Sequence, residues 1–355
     1  MLKFPGITGS VAALALAAAS GGAFADDLQS VDLKVSGGNQ TQNQFRYVQE
    51  PFFNDHLPEA SGGAITTTFN SLDDLGIQGP EVLRLLRLGM FDISEGTLSY
   101  MAGEAPHFEA LDLPGLTADI DEQREMTDAF RAELAEVMER DFGVTLLSMS
   151  PIALQVLYCS VEVNELADLE GRTVRTFNRS MSELVEAIGA QPVNIPFAEV
   201  VPAMERGVAD CAITGTSAGN TARWWEVTDH LVMLPMGWAM TFFAANSENW
   251  NRLDEETRDF LREEFAGMED RQWEQAAADI QDGINCNTAE GDCNDGIVAE
   301  PAMTLVELSD EDQALARELL LESVLPDWAE RCGADCAEAW NAQVGSVVGI
   351  DVAVN

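Results

Sequence analysis

The sequence predicts an α/β protein of two lobes, each a mostly parallel sheet flanked by helices. Residues 168–212 read DLEGRTVRTFNRSMSELVEAIGAQPVNIPFAEVVPAMERGVADCA. Short apolar strands alternate there with helical stretches, and that rhythm implies parallel pairing. Residues 32–93 repeat the rhythm. The chain has 355 residues, 46% of them hydrophobic, which is enough for two ordinary domains.

The elements follow in order. The first 25 residues have the form of a secretory leader: Lys3 gives a positive start, Val11 to Ala19 a short apolar core, and Ala23-Phe24-Ala25 a cleavage site. The core is too short to span a bilayer. A first strand, Asp32 to Val35, leads through a polar turn into a helix from about Gln44 to Leu57. Ile65 to Phe69 is the second strand. Pro80 opens a helix with Leu83, Leu86 and Leu88 inside, and Gly89 stops it. Phe91 to Ile93 is the third strand. Met126, Phe130, Leu134, Val137 and Met138 mark one face of a helix from Asp121 to Asp141. Val144 to Met149 and Gln155 to Cys159 are strands, the latter entering the second lobe. Thr173 to Thr176, a strand ending in Pro196-Phe197, and Ala212 to Thr214 build that lobe, and Phe242 to Ala245 returns to the first. Asp254 caps a helix running past Trp273, whose many acids read as a solvated face. Ser309 and Asp312 cap the helix holding Leu315, Leu319 and Val324. The expected division is a leader (1–25), a first lobe (26–152 with 241–280) and a second lobe (153–240 with 281–355).

The formal charge of -42 argues against nucleic acid or an anionic membrane surface as partner, and suits a saline habitat. It does not exclude an anionic ligand. At ~0.15 M salt the Debye length is about 8 Å, so a few cations in a cleft set the local potential.

Cys286 with Cys293, and Cys332 with Cys336, flank short loops and fit local disulfides in an oxidising compartment. A metal on Cys332 and Cys336 lacks further ligands nearby. For Cys159 and Cys211 a bridge and two buried thiols both fit.

The quoted stretch resembles the solute-binding proteins of TRAP (tripartite ATP-independent periplasmic) transporters. The matching pieces are Asp168-Leu169-Glu170-Gly171 through Arg175, Ile188-Gly189-Ala190-Gln191-Pro192-Val193, Phe197, Glu199-Val200, Ala203-Met204 and Gly207-Val208-Ala209-Asp210. Leu111-Asp112-Leu113-Pro114 adds a further likeness, and the resemblance runs from about Leu33 to Trp340. It implies the clamshell of periplasmic binding proteins: two lobes linked by crossing strands and a long helix, closing on a ligand. It also implies an organic acid anion as ligand and delivery to TRAP permease subunits in the membrane, with the leader directing export to the periplasm. No cofactor is expected, a metal bridging the ligand stays open, and a monomer is the default. A ligand-sensing partner of a membrane receptor is the alternative.

Arg175 matches the arginine that pairs with the ligand carboxylate in the family, and its planar, permanently charged fork suits that task. The alternative is a structural ion pair. Two departures separate this chain from better-known members: Gln155 stands where many carry a second Arg, and Thr214 where many carry Asn. Arg179 either restores the missing charge or faces solvent. Phe197 matches a residue lining the family's cleft. Phe177 and Asn178 follow Arg175 directly. Asn39, Gln40 and Gln78 lie on loops of the first lobe and either meet the ligand or are ordinary turn residues. Tyr100, Trp225 and Trp238 are apolar walls or core.

Catalysis has little support. Gly215-Thr216-Ser217-Ala218-Gly219 mimics a nucleophile elbow, but His56, His107 and His230 offer no partner in a fitting chain position. No phosphate-loop or dinucleotide fingerprint is present.

Overall fold

The structure, a computed structural model, describes residues 28–354; the expected leader lies outside the described residues. The strands are β1 (Val31–Ser36), β2 (Ile65–Asn70), β3 (Ile93–Thr97), β4 (Val144–Pro151), β5 (Gln155–Cys159), β6 (Thr173–Thr176), β7 (Gln191–Asn194), β8 (Cys211–Gly215), β9 (His230–Val232), β10 (Met240–Asn246) and β11 (Thr304–Val306). The first sheet has the order β2-β1-β3-β10-β4 and the second β11-β9-β5-β8-β6-β7. Both are more mixed than expected. Every antiparallel pairing involves β5 or β10, the strands beside the two passages between lobes. The strands that follow the two passages run against their neighbours, whereas the strand-helix-strand units, with their helical crossovers, keep theirs parallel.

Three expectations shift. β3 starts at Ile93, two residues into the expected strand. β7 ends at Asn194, because Pro196 opens a short turn over Phe197–Glu199. Leu88, expected inside, is 69% exposed, since its helix ends at Arg87 just before it.

The helix Glu255–Thr288 is 34 residues long, or about 50 Å, and touches both lobes. Asp254 caps it by accepting from the Thr257 N–H. Its acids are not all solvated, contrary to the sequence reading. Glu269 pairs with Arg131 and accepts from the Met149 N–H at 3.0 Å. Asp279 accepts from Asn43 Nδ2 at 2.8 Å, and Asp282 from the backbone of Asn294 and Asp295. These carboxylates tie neighbouring segments to the helix. Gly283 permits the closest approach: a Cβ there would stand 2.4 Å from the Ser217 nitrogen. The serine of the elbow-like motif therefore belongs to a packed helix joint, where the adjacent Thr216 hydroxyl donates to the Asp279 and Ile280 carbonyls.

All six cysteines are bonded, 159 to 211, 286 to 293 and 332 to 336. Cys159 and Cys211 stand directly opposite on antiparallel β5 and β8, 4.0 Å apart between Cα atoms, which settles the pair the sequence left open. Among the described residues no helix is long and apolar enough to cross a membrane.

The returning passage is held by Asp112. Its Oδ1 accepts from the N–H groups of Trp238 (2.6 Å) and Ala239 (3.0 Å) where the backbone takes positive φ at Gly237 and Ala239. Oδ2 has no partner, and burial raises the carboxyl to about 7. Burial likewise raises Glu95 to about 7 and Asp279 to about 6. Groups whose pKa is raised by folding stabilise the fold fully below the unfolded carboxylate range, and that contribution is lost as pH climbs through the folded value. The unfolding midpoint is therefore expected to fall by several degrees from pH 5 to pH 8, and Asp112→Asn, which keeps the accepting oxygen, to flatten the fall. Calorimetry across that range checks it; a rise with pH, or an unchanged slope in the variant, contradicts it.

Candidate functional site

The carboxyl ends of parallel strands and the loops after them face one another across the lobes, the usual place for a ligand in open α/β sheets. A cleft of about 850 Å³, including its open mouth, lies there. From the first lobe it is lined by Asn39, Gln42, Gln78, Glu95 and Tyr100, among others, and from the second by Arg175, Phe177, Phe197 and Thr214. Gln155, Ala239 and Thr241 line it from the crossing strands.

Arg175 occupies the centre of β6, between β7 and β8. It is 1% exposed. Its Nε donates to the Ile195 carbonyl at 2.8 Å and Nη1 to the Ile213 carbonyl at 2.6 Å, so two neighbouring backbone segments fix the plane of the guanidinium. Nη2 has no hydrogen-bond partner. The guanidinium lies 5.1 Å from the Phe177 ring centroid and 5.7 Å from that of Trp224. Burial lowers its pKa to about 10, while Tyr100, reaching over from the other lobe, favours the charged form. At neutral pH the group is a buried cation with no carboxylate among the described residues to neutralise it. An uncompensated buried charge costs on the order of several kcal/mol, so this arrangement is suited to receive an anion.

The other expected residues divide. Gln155, Thr214, Phe177, Phe197, Asn39, Gln78 and Tyr100 line the same cleft. Asn178, Arg179, Gln40, Trp225 and Trp238 do not. Asn178 caps the helix Arg179–Ala187, its oxygen accepting from the Met181 N–H at 2.8 Å. Arg179, with a 66% exposed side chain, pairs with Glu183, so no second cation replaces the one lost at Gln155. Gln40 uses its N–H on Asp73. Trp225 and Trp238 are core, their indole N–H groups bonded to the carbonyls of Asn220 and Thr117. Of the two readings open for Trp225, core is the one found, and it is the neighbouring Trp224 that backs the cleft, stacking on Phe197 at 5.4 Å and lying beside Arg175. Nothing in two adjacent tryptophans tells which one turns inward. Glu95, Gln42 and Thr241 were also missed, because single polar residues within or near predicted strands give no signal without the partner lobe.

This cleft sits on a fold shared by solved structures. An extracytoplasmic solute receptor of Bordetella pertussis binding pyroglutamic acid aligns with a TM-score of 0.79 at 23% identity, covering 90% of this chain and 100% of that one. The ectoine-binding protein of the Halomonas elongata TeaABC transporter aligns with 0.79 at 18%, covering 90% and 100%. The sequence model of the bacterial extracellular solute-binding proteins, family 7, matches residues 37–325. The chain belongs to this family of TRAP solute-binding proteins. A solute-binding protein of Albidiferax ferrireducens is 29% identical over 188 residues, 52% of this chain and 55% of that one, and the ectoine-binding protein of Halomonas elongata 24% identical over 159 residues, 44% and 45%. By sequence, then, the chain spans about half the length of these curated relatives.

The lobes of this TRAP family member touch at the mouth of the cleft. Gln78 Nε2 donates to Glu199 Oε1 at 2.9 Å, and Tyr100 meets Phe177 edge-on at 6.0 Å. Both contacts join the first lobe to the second. Glu199→Ala removes the hydrogen bond at an exposed position. A bond of ~0.5–1.5 kcal/mol holding the closed form implies that a cleft ligand dissociates about two- to tenfold faster from the variant, with the unfolding midpoint unchanged. Stopped-flow displacement checks this; an unchanged rate would separate the contact from closure.

Proposed function

We propose that the protein is the extracytoplasmic receptor of a TRAP transporter, which traps an organic acid anion between its lobes and hands it to membrane permease subunits. The observation that carries the reading is the buried, unneutralised guanidinium of Arg175 with one free donor, facing a cleft between lobes. A ligand carboxylate supplies the missing charge, and charge-assisted hydrogen bonds of this kind are worth about 1.5–3 kcal/mol. Gln155 and Thr214 line the cleft as neutral hydrogen-bonding groups, and Phe177 and Phe197 give the ligand an apolar wall. The two lobes, joined by crossing strands, provide the closing motion.

Related structures support the ligand class: by their descriptions they hold pyroglutamic acid, orotic acid, galacturonate and succinate. A leader-like start, three disulfides and relatives described as periplasmic support export. The reading assigns no chemistry to the cleft. The elbow-like Ser217 is buried against the long helix, and His230, the nearest histidine in sequence, lies on β9.

The test is a thermal-shift panel of carboxylates and their amides, run on the wild type, Arg175→Met and Arg175→Lys. A ligand at about a hundred times its Kd adds roughly 2.7 kcal/mol, which moves the midpoint by several degrees. The expected result is a shift with an acid, absent for its amide, abolished in the Met variant and reduced in the Lys variant, which keeps the charge without the fork. An equal shift in the Met variant, or none with any acid, would overturn the reading.

A further inference from the structure

Charge in the cleft is not all of one sign. Arg175 is the one cation among the lining residues, and Asp73 and Glu95 are the two acids. Asp73 is exposed and occupied, accepting from Asn39 Nδ2 at 3.3 Å and the Gln40 N–H at 2.6 Å. Glu95 differs in each respect. It lies in β3, in the first lobe, opposite Phe243 of β10, and is 4% exposed. Its Oε2 occupies the space a side chain at Gly38 would fill, and Gly38 itself lines the cleft. Only neutral groups approach it: the Gln49 amide, and the hydroxyl of Thr241, another lining residue. No cation among the described residues pairs with it, and burial has raised it to about 7.

The cleft is thus bipolar, with a buried guanidinium contributed by the second lobe and a buried carboxyl by the first. We infer that Glu95 accepts a hydrogen bond from a nitrogen donor on the ligand, so that the cleft selects acids carrying both a carboxylate for Arg175 and an N–H group for Glu95. This deepens the function proposed above and rests on it. A nitrogen donor, neutral or cationic, favours the ionised carboxyl and supplies the strong partner its surroundings lack. A dicarboxylate does the opposite, since its second carboxylate favours the protonated carboxyl and binding it above the raised pKa requires uptake of a proton. An apolar acid would leave the carboxyl desolvated and underpaired. Recognition by both lobes also couples selection to closure, because a ligand satisfying both ends bridges them.

Three probes of matched size separate the possibilities by calorimetric titration: a five-membered lactam carboxylate, the lactone in which ring oxygen replaces N–H, and a five-carbon dicarboxylate. The wild type is expected to bind the lactam at least tenfold more tightly than either of the others. Glu95→Gln should weaken lactam binding about tenfold, and Glu95→Met should bring lactam and lactone to similar affinity. Unliganded melting curves of both variants report whether they fold; if neither does, the wild-type comparison alone decides. Equal binding of lactam and lactone by the wild type, or tighter binding of the dicarboxylate, overturns the role of Glu95 while leaving the carboxylate receptor intact. Failure of every acid to bind the wild type, or equal binding by Arg175→Met, removes the receptor reading itself.

Discussion

The structure is organised around a charge buried without a counter-charge. Arg175 stands in the middle of β6, its Nε and Nη1 held by two backbone carbonyls and one terminal nitrogen left free. Folding this side chain inward is unfavourable taken alone, and the rest of the second lobe limits the cost. Neighbouring strands supply the accepting carbonyls, Trp224 and Phe177 present aromatic faces, and Tyr100 from the other lobe adds a polar neighbour. What remains uncompensated is what an anion can satisfy. A site of this kind gives up stability in the unliganded state for affinity in the closed one.

A rigid surround is needed to hold such a charge, and the crossing segments supply it. β5 joins β8 by a directly opposed disulfide, and β10 is clamped between β3 and β4. Asp112 holds the returning passage through the N–H groups of Trp238 and Ala239, next to the cleft wall. The long helix Glu255–Thr288 contacts both lobes through a stripe that changes character along its length. Leu261, Phe265 and Met268 pack in the first lobe's core, whereas Asp279, Gly283 and Asn287 make polar or close backbone contacts with the second. That change explains why its buried face was read as solvated: a stripe of Asp, Gly and Asn carries no hydrophobic period.

The bulk of the chain's negative charge lies outside these contacts. The exposed acids form scattered pairs with arginines such as Arg140, Arg252 and Arg262, each of small energetic weight on a solvated surface. Among the described residues the buried acids are few: Glu95, Glu109, Asp112, Glu269, Asp279 and Asp282. In a chain so rich in carboxylates they are indistinguishable by composition.

The sequence by itself determined the two α/β lobes, because strand and helix periods are local and repeat in both halves. It determined Arg175 as the residue to examine, because a lone cation inside an apolar strand is conspicuous wherever that strand ends up. It also showed that a second cation was absent at position 155. Only the tertiary structure decided which side chains share the cleft with Arg175. Asn178 turns to cap a helix, Arg179 turns to Glu183, Trp224 rather than Trp225 supports the wall, and Glu95 arrives from a strand 80 residues earlier. Those outcomes depend on the direction each side chain takes once both lobes are in place. Direction is set by partners distant in the chain, and local periodicity carries no record of them.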